Sequence, residues 1–324
     1  MKFLKVLFMG LWSVAYGVKR LFARKKPAAV AAGGTRLVLK GRHAQMLAAA
    51  RRGNVEAQME LAACYSEGRG MEQNYAEAAH WFGEAARLGD ARGQFSFGIC
   101  CANGQGVAQD YEEAVKWFRL AAEQGNVGAQ VSLGLCLQKG LGVYPGPAEA
   151  VHWFRRAAES GDPAGQVSLA SCLQRGDGTP KNDVEALEWF RHAAAQGLAE
   201  AEFNVGKCCR GGLGTTANEE EAFKWFRTAA EKGLAQAQFE AGLCLQHGRG
   251  TTVDLPEAYA WMSLAARRAI PGAAEFCETL RKEMTPAQIE EGGRRLSRRL
   301  PAQPNVAPEK AERKGAADVK LTSD

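Results

Sequence analysis

The first 55 residues contain no aspartate or glutamate, although they hold 12 lysines and arginines. The net charge of +5 therefore belongs to an N-terminal arm, and the rest of the chain carries 29 basic residues against 36 acidic ones, a net of −7. A body with that balance lacks the basic footprint of a nucleic-acid binder, so no nucleic-acid partner is expected. The apolar run near the N-terminus, Val6 to Val18, has thirteen residues, short of the about 20 that a membrane-spanning helix needs. The nine cysteines include no C-x-x-C pair and have no histidine at metal-ligand spacing, so the usual marks of a zinc or dithiol site are missing. No glycine loop carries the Lys-Ser/Thr pair of a phosphate cradle. No Ser/His/Asp arrangement or paired catalytic carboxylate stands out. The chain is read as non-enzymatic, with no metal, no cofactor and no small-molecule substrate.

What the sequence has instead is repetition. The stretches LAACYSEGRGM from Leu61, FGICCANGQGV from Phe97, LGLCLQKGLGV from Leu133, LASCLQRGDGT from Leu169, VGKCCRGGLGT from Val205 and AGLCLQHGRGT from Ala241 recur at a spacing of 36. Trp81, Trp117, Trp153, Trp189, Trp225 and Trp261 keep the same step without an insertion or deletion. Such a period marks stacked helical hairpins. The expected fold is all-α, a single elongated α-solenoid of six 36-residue hairpins with partial capping units. Cys64, Cys100, Cys136, Cys172, Cys208 and Cys244 fall in one column. Stacked units hold such a column about 10 Å apart, whereas a disulfide needs Cα atoms within about 7 Å. These thiols cannot bridge one another, which suits a reducing compartment. His80 and His152 also share a column, two units apart and unable to meet on one ion.

Residues 126 to 161, NVGAQVSLGLCLQKGLGVYPGPAEAVHWFRRAAESG, serve as one unit. Val127, Val131, Leu133, Leu135 and Leu137, with the small Ala129, Gly134 and Cys136, predict a first helix over about 127 to 139. Gly140 stops it, because a glycine takes the left-handed conformation past a helix end without a Cβ clash. A second glycine turns the loop back. The second helix then opens on a capping residue, Asn74, Asp110, Asn182, Asn218 or Asp254, or on Gly146 followed by Pro147. Glu77, Glu113, Glu149, Glu185, Glu221 and Glu257 stand three residues after these caps. That spacing predicts a capping box in which the glutamate bonds back to the cap N–H, rather than a row of general acids. The second helix carries Ala-x-x-Trp-Phe-x-x-Ala-Ala, with each ring beside a small residue that admits a neighbouring helix.

The run Ala-x-x-Trp-Phe-x-x-Ala-Ala-x-x-Gly, then Ala-Gln-x-x-Leu-Gly, then Gly-x-Gly resembles the Sel-one-like repeat family, helical-hairpin relatives of tetratricopeptide repeats, over residues 54–269. HAQMLAAARRG from His43 resembles half of a preceding unit, giving an N-terminal capping half-repeat over 36–53. MTPAQIEEGGRRLSRRL resembles the terminal helix of bacterial members, within C-terminal capping helices over 270–300. The resemblance implies a right-handed superhelix whose first helices line a concave face for protein or peptide partners. By analogy with tetratricopeptide repeats, the fifth unit would contact a ligand through Glu200, Phe203, Lys207, Arg210 and Gly211. Read down the stack, the last two of these positions give Gln138 and Lys139, Gln174 and Arg175, Arg210 and Gly211, and Gln246 and His247. This partly basic ridge on an acidic body suits an acidic peptide or a chain terminus. Some cysteine-rich bacterial members are secreted, with a disulfide in each repeat and β-lactam binding. Where they place the cysteine pair, this chain has Ala86 and Gln94, Ala122 and Gln130, or Ala158 and Gln166.

Residues 1–26 pair the apolar run with a basic cluster, and Leu7, Phe8, Trp12, Lys19, Arg20, Arg24, Lys25 and Lys26 are the expected membrane-associating side chains. The positive excess follows the run, so the repeats are expected on the cytoplasmic side. An Ala-x-Ala candidate at Ala29 to Ala31 lies beyond the basic cluster, which favours a retained segment over a cleaved signal. Residues 27–35 read as a flexible linker and 301–324 as a disordered tail. The expected function is a membrane-associated scaffold or adaptor. The alternatives are a secreted or periplasmic repeat protein with β-lactam-binding or hydrolase activity, and a self-associating assembly factor. Burying one tryptophan removes about 150–250 Å² from water, roughly 4–6 kcal/mol before entropy. Trp153→Ala is therefore expected to cost about 3–5 kcal/mol, read as a lowered urea midpoint.

Overall fold

A computed structural model describes residues 35–300, in which fifteen α-helices follow one another with no strand among the described residues. Helix α1 (Thr35–Arg51) precedes six hairpins. Their first helices are α2 (Val55–Glu67), α4 (Ala91–Asn103), α6 (Val127–Lys139), α8 (Pro163–Arg175), α10 (Ala199–Gly211) and α12 (Ala235–His247). Their second helices are α3 (Tyr75–Arg87), α5 (Tyr111–Glu123), α7 (Pro147–Glu159), α9 (Asp183–Ala195), α11 (Glu219–Glu231) and α13 (Leu255–Arg267). Each helix from α1 to α13 packs on the next, and α14 (Ala273–Glu283) and α15 (Pro286–Arg299) both rest on α13. The chain is an all-α solenoid.

The helix ends follow from the residues at them. Asn54, Asp90, Asn126 and Asp162 accept backbone N–H bonds in the first turns of α2, α4, α6 and α8. Gly140 ends α6 at φ 66°, and its five counterparts are left-handed as well. Asn74, Asp110, Asn182, Asn218 and Asp254 cap second helices, while α7 starts on Pro147 with no side-chain cap.

The glutamate three residues after each cap does not close a capping box. The cap's own N–H is already committed across the loop, from Asp110 to the Cys101 carbonyl and from Asn182 to that of Leu173, each at 2.9 Å. The carboxylates serve two other donors. Glu113, Glu149, Glu185 and Glu221 accept from the indole Nε1 of Trp117, Trp153, Trp189 and Trp225 at 2.8–3.4 Å. Glu149, Glu185 and Glu221 also pair with Arg119, Arg155 and Arg191 of the preceding unit. A reciprocal box forms only at α15 among the described helices, between Thr285 and Gln288.

In the second to fifth units, depth in the core belongs to the residue after the tryptophan. Phe118, Phe154, Phe190 and Phe226 are at most 1% exposed, whereas Trp117, Trp189 and Trp225 stand half-buried at the rim. An indole must keep its N–H within reach of a partner, and here the partner is a half-exposed carboxylate. The phenyl ring has no such tie and fills the space beside a first-helix glycine: a Cβ on Gly134 would lie 2.5 Å from Phe154.

A buried amide ladder joins successive helices. Gln58, Gln94, Gln130, Gln166 and Gln238 donate Nε2 to the carbonyls of Ala50, Ala86, Ala122, Ala158 and Ala230 at 3.1–3.5 Å. Ala50 lies in α1, which is thus tied to α2 as full units are tied to each other. Two rungs extend outward, Gln124 to Gln94 at 2.8 Å and Gln196 to Gln166 at 3.0 Å. The fifth unit replaces that amide pair with ions: Glu202, 3% exposed, takes Lys232 Nζ at 2.5 Å. Lys232→Ala leaves that buried carboxylate without its cation and is expected to cost up to about 3 kcal/mol. The double variant Glu202→Gln, Lys232→Gln rebuilds the Gln166–Gln196 arrangement and should denature near the wild-type midpoint in urea.

Candidate partner-binding face

Side chains at the fifth, ninth and twelfth positions of each first helix share a face, being three and four residues apart. At the fifth and ninth positions stand Val167, Phe203, Phe239, Ile99, Leu135 and Leu243, apolar and only partly buried. The sequence pattern marks Leu135 only as an apolar position of the first helix and singles out Phe203 alone among the others of this row. Their signal was the four-residue spacing at which a first helix keeps one apolar row beyond those that pack inward.

The residues of the expected ridge separate into two groups. In the first, polar side chains are engaged within the stack. Gln138 Nε2 donates to Asp177 Oδ2 at 3.1 Å and lies 3.4 Å from Cys172 Sγ, and Gln174 Nε2 lies 3.4 Å from Cys208 Sγ. Arg210 pairs with Glu240 of the next unit at 2.5 Å, with its guanidinium 5.1 Å from the Phe226 ring centre. That pairing raises the arginine above its ordinary range, the Glu240 hydrogen bond contributing most. Lys139 is half-buried, and burial pulls its ammonium below the ordinary lysine range. Gln246 is half-buried as well. In the second group Arg175, Lys207 and His247 are exposed, Arg175 pairing with Asp177 of its own loop at 3.6 Å. Lys207 lies 5.8 Å over Phe203, which itself packs on Phe226 at 5.6 Å. Phe203, Lys207 and Arg210 meet on α10, while the other residues are spread over neighbouring units. Glu200 is half-buried and Gly211 exposed on the same helix.

The cysteine column lies behind this face. Cys100, Cys101, Cys136, Cys172, Cys208, Cys209, Cys244 and Cys277 are buried free thiols, and Cys64 is a half-buried one. Burial pushes Cys100 and Cys136 up to about 12, and Cys101, Cys172, Cys209 and Cys244 up to about 11. Protonated at neutral pH, these sulfurs act as small apolar groups and weak hydrogen-bond acceptors.

The chain belongs to the Sel1 repeat family, matched in six consecutive copies at residues 55–90, 91–126, 127–162, 163–198, 199–234 and 235–269. It is similar to a solved Sel1 repeat protein from Oxalobacter formigenes, 33% identical over 67% of this chain and 89% of that one, with a TM-score of 0.63. It is also similar to a protective antigen of uropathogenic Escherichia coli that displays an SLR fold, 31% identical over 87% of this chain and 68% of that one, TM-score 0.54. No curated protein matches the chain at comparable significance. Sel1 repeats generally mediate binding between proteins, and their fold is typically a non-enzymatic scaffold.

Among the described residues no helix is long and apolar enough to cross a membrane. Leu7, Phe8, Trp12, Lys19, Arg20, Arg24, Lys25 and Lys26 lie outside the described residues. The raised thiols set a pH signature. A proton held more tightly in the fold than in the unfolded chain stabilises the fold in full below the ordinary thiol value near 9, and that contribution is lost as pH rises toward 12. Urea midpoints are therefore expected to fall between pH 8 and pH 10. Native protein at pH 8 should react with maleimide far more slowly than urea-unfolded protein.

Proposed function

We propose that the chain is a non-enzymatic adaptor, held at a membrane by residues 1–26, that receives an acidic, partly apolar segment of another protein on its first-helix face. The supporting observation is the row of partly buried apolar side chains Ile99, Leu135, Val167, Phe203, Phe239 and Leu243 beside the exposed cations Arg175, Lys207 and His247. Apolar contact supplies binding energy to such a partner, while the cations on an otherwise acidic body select its charge and orientation. Arg210, Gln138 and Gln174 support the face from within by tying one unit to the next.

The test uses the three exposed cations. Full-length protein and an Arg175→Glu, Lys207→Glu, His247→Glu variant, both checked by circular dichroism, are crosslinked in native cells. A partner recovered by wild type and lost by the variant is the expected outcome, and identical recovery would sink the assignment to this face. The membrane role is checked separately, by flotation with phosphatidylserine vesicles. Full-length chain should float, and chain starting at residue 27 should remain behind.

A further inference from the structure

The sixth unit departs from the second to fifth units at its tryptophan, and only there are an unpartnered indole and an unpartnered glutamine oxygen found on one described cavity. Trp117, Trp153, Trp189 and Trp225 each donate to the glutamate four residues earlier. Trp261, 3% exposed, has no acceptor for its Nε1, a state it shares with Trp81 of the first unit. Its expected acceptor, Glu257, is taken by Arg295 at 3.3 Å and Arg299 at 2.5 Å from α15. Gln94 and Gln166 each receive an amide donor from the residue thirty positions on. Gln238, 6% exposed, accepts nothing at Oε1, as is also true of Gln58 and Gln130, and the residue thirty positions on from Gln238 is Arg268. Ala269 stands where the units before it have glycine, at φ 56°.

Trp261 and Gln238 line one cavity of about 370 Å³, together with Arg267, Arg268 and Arg299. The carboxylate on its wall, Glu231, pairs with Arg227 at 3.7 Å. The site thus offers guanidinium donors and a buried indole donor for an anion, and beside them a buried carbonyl that still requires an N–H. Guanidinium groups bind carboxylates through paired, charge-assisted hydrogen bonds. A phosphate or a side-chain carboxylate supplies the charge without an N–H on the adjacent atom. The last residue of a polypeptide carries both.

We propose that this cavity binds the carboxyl terminus of a partner polypeptide. The carboxylate sits among Arg267, Arg268 and Trp261 Nε1, and the N–H of the same terminal residue donates to Gln238 Oε1. The cavity is walled by second helices, the buried start of α12 and the end of α15, so it goes beyond the first-helix reading and stands or falls without it.

The probe is N-acetyl-trialanine, as free acid and as C-terminal amide, titrated into full-length protein while the indole N–H resonances are followed by NMR. The Trp261 signal is assigned by its loss in Trp261→Phe. It is expected to shift and saturate with the acid, and the amide should bind about tenfold or more weakly. Arg268→Gln introduces the residue found at Gln196, which bonds Gln166 at 3.0 Å. That variant should lose the shift while its thermal midpoint does not fall, which separates lost binding from lost folding. The proposal is overturned if acid and amide bind alike, if Arg268→Gln binds as wild type does, or if no peptide moves the signal. Acetate or inorganic phosphate matching the peptide acid would equally overturn it, as showing an adventitious ion only.

Discussion

Backbone meets backbone where the second loop glycine of each unit rests on the first turn of the second helix one unit earlier. A Cβ at Gly106 would stand 1.9 Å from the Tyr75 carbonyl oxygen, and one at Gly142 would stand 2.3 Å from that of Tyr111. No side chain fits there, and the glycines hold φ between 66° and 77°, so the position is closed to other residues on two grounds. A contact this close fixes how far one unit lies from the next. Helices of thirteen residues and a constant loop follow from it, because an inserted residue would carry every later glycine off its carbonyl. The unbroken period of 36 is the sequence's record of that contact.

This is why the fold was legible in the residues. Gly68 and Gly70, repeated down the chain, mark the loop, while Asn54 and Asn74 mark the starts of the two helices in the first unit. What failed was the reading of partners that lie far apart in the chain. Glu149 stands at capping-box distance from Gly146, but the Gly146 N–H goes to the Leu137 carbonyl on the previous helix. Spacing along a helix cannot report a donor consumed across a loop. The Ala86 and Gln94 columns, noted in the sequence only as the place of an absent cysteine pair, hold a hydrogen bond of 3.5 Å between the same two helices.

Polarity on a solenoid is a poor guide to binding for the same reason. Gln138, Gln174 and Arg210 occupy one column and look alike in the sequence as surface residues. Each reaches 30 to 39 positions ahead to hold the next unit. A side chain engaged in that way is offered to a partner only at the cost of an inter-unit bond. The exposed remainder, Arg175, Lys207 and His247, sits one position later or one turn earlier, where no neighbouring helix covers it. Repetition identifies a scaffold column because copies agree. It says nothing about which agreeing or varying polar residue faces inward, which depends on the rotation between stacked units.

The arginine-to-glutamate relay also decides how the array stops. Arg119, Arg155 and Arg191 each serve the glutamate of the following unit. Arg227 would serve Glu257 by the same rule but turns to Glu231 in its own helix. The vacancy is filled by α15, whose Arg295 also reaches Asp254 at 2.8 Å, and whose Gly292 lets it close on Tyr259. Beyond it α14 presents Glu275, Glu278, Arg281 and Lys282 to solvent, a charged surface onto which a seventh apolar hairpin would not stack. Trp261 lies at this closure, where Glu257 accepts from two arginines of α15 and not from the indole. The arginines that terminate the stack and the cavity holding a buried indole donor beside exposed guanidinium groups thus lie together at the end of the array.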